Sequence, residues 1–167
     1  MKIGLLSDSH GDAASLRDGA AILIDLGAEA IVHCGDIVAA DHVSILGCCG
    51  VPAYLATGNM DRNTGALAKV AEQYKVQFAA NFIEVTIGDG QHLVALHGDD
   101  EQLMRDLVEG AQFPYIVHGH THRAADDTYG SIRVICPGAL AHPRKPKYPT
   151  VALLNTEADT VEFYKVV

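Results

Sequence analysis

Tryptophan is absent from this chain, and aromatic residues of all kinds make up only 6% of it. The core must therefore be built from aliphatic side chains. Positive charge is also scarce, with 12 Lys and Arg against 21 Asp and Glu, a formal net charge of −9. That balance argues against a nucleic-acid groove or an anionic membrane surface as the partner. Bound cations would neutralise part of it. The four cysteines (Cys34, Cys48, Cys49 and Cys136) show no CxxC spacing, and adjacent Cys48-Cys49 is poor geometry for a shared disulfide. A reduced, cytoplasmic protein is the expectation. No apolar run approaches the roughly 20 residues a membrane span needs. Met1-Lys2 leads into a short apolar run without a cleavage site, which reads as a first strand rather than a signal peptide.

What is present is a pattern of strands and helices over 167 residues, a length that suits one domain, 1–167. Lys2 to Leu6 and Ala30 to His33 are continuous apolar runs of the kind found in strands buried on both faces. Between them, Leu16, Ala20, Leu23 and Leu26 form one helical stripe from about Ala13 to Leu26, with Gly27 as its stop. A short helix near Asp41 to Leu46 precedes a third strand, Pro52 to Ala56, and a weaker helix follows from Thr64 to about Lys75. Gly88-Asp89-Gly90 marks a hairpin between Asn81–Ile87 and His92–Leu96, and Glu101 to Glu109 reads as a helix. Strand Tyr115-Ile116-Val117 comes next, and hairpins around Gly130 and around Glu157-Ala158-Asp159 close the chain. Helices alternate with strands early and give way to hairpins late, which predicts mixed sheets with helices outside.

The polar residues fall at the ends of the strands. Val117-His118-Gly119-His120-Thr121-His122 holds three histidines in five residues; in an extended segment His120 and His122 would point to one side. Earlier strands deliver Asp8-x-His10, Gly35-Asp36, Gly58-Asn59-x-Asp61 and His97-Gly98. Each has a plain structural reading. Asp8 could cap the next helix, Asp36 and Asn59 could be turn residues, and His97 could bond a backbone carbonyl. Capping does not explain five such loops in succession, most with a glycine that lets backbone approach a common centre. Ligands bind at the carboxyl ends of strands in α/β sheets. Asp8, His10, Asp36, Asn59, His97, His120 and His122 are seven candidate ligands, too many of this nitrogen-rich kind for one ion. Mixed imidazole and carboxylate suits Zn, Mn, Fe or Ni and argues against Ca. A carboxylate bridging two ions roughly 3.5–4 Å apart is the usual arrangement in hydrolytic two-metal sites. Cys34, at the end of a buried strand, is expected in the core.

In order and spacing these motifs resemble the signature D-x-H, GD, GN-[HC]-[DE], H, GHxH of the calcineurin-like metallophosphoesterases, in particular their small single-domain bacterial and archaeal phosphodiesterases. Pro137-Gly138-Ala139-Leu140 and Pro143-Arg144 are similar to further segments of that branch. The resemblance implies an α/β (α+β) four-layer α-β-β-α sandwich, two mixed sheets face to face with helices outside. It implies two divalent ions, manganese placed first among Mn, Ni, Fe and Zn. One would lie on Asp8, His10 and His122, the other on Asn59, His97 and His120, with Asp36 bridging. It further implies in-line attack of a metal-bound hydroxide on a small phosphate ester, with Asn59 also orienting the phosphate. Two positions depart from the pattern. Met60 stands where many members carry a histidine proposed to protonate the leaving group, and a thioether has no proton to give. Asp99 stands where relatives often have a second histidine; it is expected to cap the next helix or to orient His97 or His120. His118 is expected to pack or to support a ligand from behind, and His142 is unassigned. A metal-binding scaffold like the retromer subunit of the same fold is the alternative, although Asp36 and Asn59, which that relative alters, are intact here. Oligomeric state is open, a homo-oligomer included.

Overall fold

The computed structural model describes all residues, 1–167. Two mixed sheets share the strands. The first runs β11 (Thr160–Lys165), β10 (Thr150–Asn155), β1 (Lys2–Leu6), β2 (Ala30–His33), β3 (Ala53–Ala56), β4 (Gln77–Ala79). Here β1 to β4 are parallel and the β10–β11 hairpin is antiparallel. The second runs β5 (Phe82–Gly88), β6 (Gln91–Leu96), β7 (Tyr115–His118), β9 (Ile132–Pro137), β8 (Ala124–Tyr129), with β6, β7 and β9 parallel.

Alternation along the strands builds the layers, because successive side chains point to opposite faces. In β1, Ile3 and Leu5 join Val32, Val85, Leu93, Val117, Ile135 and Ala152 in the cluster between the sheets. Leu6, Ile31, Val151 and Leu153 turn outward onto α1 (Ala13–Asp25), α2 (Val43–Gly47) and α3 (Thr64–Gln73). In the second sheet Val94, Leu96, Ile116, Ile132 and Val134 face away from the middle and are covered by Leu103, Met104, Leu107 and Val108 of α4 (Glu101–Gly110). The result is the four-layer α-β-β-α sandwich that the resemblance implies. Gly4 is part of the packing: a Cβ there would come within 2.7 Å of Ile31 Cδ1 and 2.9 Å of Leu23 Cδ1.

Two expectations are corrected, and the caps of two helices are fixed. The helix expected to reach Lys75 ends at Gln73, because Lys75 turns left-handed (φ 58) and the chain then adds β4, a three-residue edge strand too short to show a pattern. Asp12 caps α1, its carboxylate accepting from the amides of Ala14 and Ser15, so the capping alternative for Asp8 falls away. Asp100, not Asp99, caps α4, accepting from Gln102 and Leu103. In both cases the capping carboxylate is the residue immediately before the helix, where the free amides point.

Candidate metal centre

The carboxyl ends of β1, β2, β3, β6 and β7 meet at one end of the sandwich, and their loops bring two clusters of ligand atoms together. One is Asp8, His10 and His122, the other Asp8, Asp36 and His97, with ligand atoms within 4.8 Å of one another in each. Asp8 belongs to both. Asp36 Oδ2 lies between the halves, 3.7 Å from His10 Nε2 and 3.4 Å from His97 Nε2.

Each carboxylate is half committed and half free. Asp8 Oδ2 accepts from the His120 amide at 3.1 Å, while Oδ1 is buried with no hydrogen-bond partner. Asp36 Oδ1 accepts from the Met60 amide at 2.8 Å, leaving Oδ2 for the centre. The imidazoles are arranged likewise. His122 Nδ1 donates to His142 O at 2.9 Å and His97 Nδ1 to Cys34 O at 2.8 Å, the tautomer those carbonyls require. Both Nε2 atoms then face inward as the ligating positions. His122 Nε2 stands 3.1 Å from the unpartnered Asp8 Oδ1 and 3.3 Å from His10 Nε2. Acceptors aimed at one another in a buried space need a cation among them, and these residues fit a divalent ion.

Electrostatics agrees. Burial disfavours a charged His97, yet its hydrogen bond to Asp36 and the carboxylates around it raise its pKa to about 9. Burial likewise opposes ionisation of Asp36, but His97 and the Met60 amide hold its pKa below the usual carboxylate value. The same field that holds a proton on His97 favours a metal cation there, which must displace it. For His10 burial dominates and the pKa falls.

Asn59 and His120 lie beside the second cluster. Asn59 is exposed, with Oδ1 3.0 Å from His97 Nε2. His120 is exposed and edge-on to His97, ring centroids 5.1 Å apart, outside both clusters. The loop is not extended as expected. His120 and His122 both adopt left-handed backbone, φ 63 and 57, so the two rings go to different halves of the site. Positive φ recurs at Asp8 (54), His10 (44) and Asp36 (57), an uncommon conformation for residues with side chains that costs on the order of 1–3 kcal/mol each.

A family model described as the calcineurin-like phosphoesterase superfamily domain matches residues 1–159. The chain belongs to this superfamily. It is 27% identical over 161 residues to phosphodiesterase MJ0936 of Methanocaldococcus jannaschii, covering 94% of each. The structure of a novel archaeal phosphodiesterase superposes with a TM-score of 0.88 at 24% identity, covering 99% of each chain. The zinc complex of Vps29 from Entamoeba histolytica shares the fold at 15% identity and a TM-score of 0.69, covering 100% of this chain and 93% of that one. As a calcineurin-like phosphoesterase the chain is a hydrolase of phosphoric esters. Membership implies divalent metal ions, and the two clusters are groups that can hold them.

Other residues of this phosphoesterase explain how its loops are held. Asp61, which closes the Gly58-Asn59-x-Asp61 motif, is 3% exposed and accepts from the amides of Asp36 (2.8 Å), Gly58 (2.8 Å) and Val38 (2.7 Å). It clips the β2 and β3 loops together, and burial raises its pKa in spite of those amides. Its signal in the sequence is its place beside Asn59, which marks a loop residue without revealing that it binds backbone. Glycine does what the sequence suggests: at Gly35 (φ 92) a Cβ would lie 2.7 Å from Gly58 N and 2.8 Å from His97 Nδ1. At Gly119 a Cβ would overlap Ser7 Oγ, below the DxH loop. Fully buried His33 supports that loop through Ser9 Oγ at 3.2 Å, and burial lowers its pKa to about 3. Met60 is 40% exposed, Cys34 is core, and His118 is half-buried with Nδ1 on Gly119 O. Asp99 is exposed beside the site.

Proposed function

We propose that this chain, acting as a single domain over 1–167, is a phosphodiesterase with a dinuclear centre. One ion is held by Asp8, His10 and His122, the other by Asn59, His97 and His120, with Asp36 between. The observation that carries this reading is Asp36 Oδ2, within 3.7 Å of an imidazole nitrogen from each half. Bound there, two divalent ions supply a hydroxide nucleophile at neutral pH and neutralise the phosphoryl oxygens. The chain's own residues do the rest. Asp61 fixes the separation of the Asp36 and Asn59 loops. The Asn59 amide, exposed at the mouth, binds and orients the phosphate. The carbonyls of Cys34 and His142 hold the rings of His97 and His122 in the ligating tautomer.

A diester is favoured over a monoester by the named phosphodiesterase relative and by charge. A molecule with formal charge −9 repels a phosphate dianion more than a diester monoanion. Manganese is the metal we infer, since the donor set mixes imidazole, carboxylate and amide oxygen. No helix is long and apolar enough to cross a membrane. The cytoplasm is the compartment we infer, from cysteines whose placement suits thiols.

The test is hydrolysis of a panel of p-nitrophenyl esters by chelator-stripped, manganese-reconstituted protein. Faster turnover of bis(p-nitrophenyl) phosphate than of p-nitrophenyl phosphate, lost on chelation and restored by manganese, is the expected result. A monoester preference overturns the diester assignment, and activity indifferent to chelation overturns the metal centre.

A further inference from the structure

A cleft of about 320 Å³ opens directly beside the second half of the centre. Asn59 and His97 belong both to its lining and to the proposed ligand set. It runs from there between the β3 loop and Asn81 on one side and Gly98, Asp99 and the start of α4 on the other. A phosphodiester whose phosphate sits on the centre must place its two alcohol groups somewhere, and this cleft is contiguous with the phosphate position. Its volume is at the low end of the range of roughly 300–1,000 Å³ for small-molecule sites, so it suits a short alcohol.

The chemistry of its walls is one-sided. No Lys or Arg is among the eleven lining residues. Two of its polar side chains are already engaged. Thr57 Oγ1 donates to Ala80 O, and Asp100 Oδ1 accepts from Gln102 and Leu103 at 3.0 Å each. That leaves the amide of Asn81 and the carboxylate of Asp99, both exposed to the cleft, to meet an occupant. Buried Leu96 and half-buried Leu103 supply apolar surface for a methylene stem.

Building on the phosphodiesterase reading, we propose that this cleft receives one ester group of the substrate and that Asp99 selects a short alcohol bearing an ammonium group, turning away one that bears a second anion. Asn81 accepts a hydrogen bond from the same group, and the stem lies against Leu103. The Asp99 carboxylate acts on the occupant's charge, so its effect follows the sign of that charge.

Three monoesters of nearly equal length and different tail charge test this: phosphoethanolamine, 2-hydroxyethyl phosphate and 2-phosphoglycolate. Calorimetric titration into manganese-loaded protein should show affinities in the order ammonium, hydroxyl, carboxylate, spanning about tenfold or more. In Asp99→Asn the span should shrink to about threefold or less, and in Asp99→Lys the order should reverse. The matching p-nitrophenyl diesters should follow the same order in kcat/KM. Equal wild-type affinities, or a span that Asp99→Asn leaves intact, would overturn the assignment of the cleft while leaving the phosphodiesterase reading untouched. Binding of none of the three, with no hydrolysis of any diester, would overturn the metal centre and this proposal with it.

Discussion

Asp36 and Asp8 are positioned by giving one oxygen to a backbone amide, and what remains is one free oxygen each, aimed at imidazoles. That division is why single residues outside the ligand set matter. Asp61 has three amide donors to satisfy, and an amide in its place would set an N–H₂ against an N–H. Asp61→Asn should cost about 1–3 kcal/mol of stability and lower metal affinity by about 10–100-fold. Thermal unfolding and equilibrium dialysis measure the two effects, and unchanged metal affinity would show that the clip is structural only. Met60 belongs to the same loop, but only its backbone is engaged, so its side chain can be exchanged. The wild-type rate should depend steeply on leaving-group pKa. Met60→His should help alkyl esters more than activated aryl esters, by up to the roughly 10²–10⁴-fold that a general acid contributes. A flat wild-type dependence would point to another acid, with His142, 5.7 Å from His10 between ring centroids, the first to replace.

At the level of elements, the strands were legible because those buried on both faces read as continuous apolar runs, and their ends because each hands over abruptly to Asp, His or Asn. The hairpin at Gly88-Asp89-Gly90 was legible from its turn residues, and Asp89 and Gly90 do take positive φ, 52 and 71. Three-residue β4 left no period to read. The cap expected at Asp99 falls one residue later, at Asp100, because neighbouring carboxylates compete for one set of helix amides, and which is nearer depends on where the helix starts. The left-handed turns at His120 and His122 were equally hidden, since nothing in the residue types distinguishes them from an extended pair. Opposite the site, the sheets are tied by a polar contact. Tyr115 at the start of β7 donates to Asp159 at 2.9 Å, and Arg133 of β9 bonds the same turn residue. Burial and the neighbouring carboxylate raise the Tyr115 pKa to about 12. The folded state therefore holds this proton more tightly than the unfolded chain, whose tyrosine titrates near 10. The stabilisation is complete below about pH 10 and is lost as pH rises from there towards 12. Chemical denaturation should find wild type more stable than Tyr115→Phe by about 1 kcal/mol at pH 8, with the gap closing above pH 10. A gap independent of pH would mean that the hydroxyl bond contributes nothing.

For the molecule as a whole, the layered fold is a consequence of alternation in two sheets whose outer faces need helices, and the site follows from parallel strands ending at one edge. The candidate ligands were legible because they sit at those ends; the clip at Asp61, the support from His33 and the cleft wall at Asp99 were not, because they act through contacts between loops distant in sequence. The central claim is that two ions work together, with Asp36 between them. It is tested most directly by titrating manganese into metal-free protein while following bound metal by elemental analysis and hydrolysis of bis(p-nitrophenyl) phosphate. Activity should rise until two ions are bound per chain, and Asp36→Asn should lower occupancy of both and reduce the rate by about 10²-fold or more, beyond the loss typical of a residue that only supports a ligand. Full activity at one tightly bound ion, with Asp36→Asn unaffected, would contradict the account.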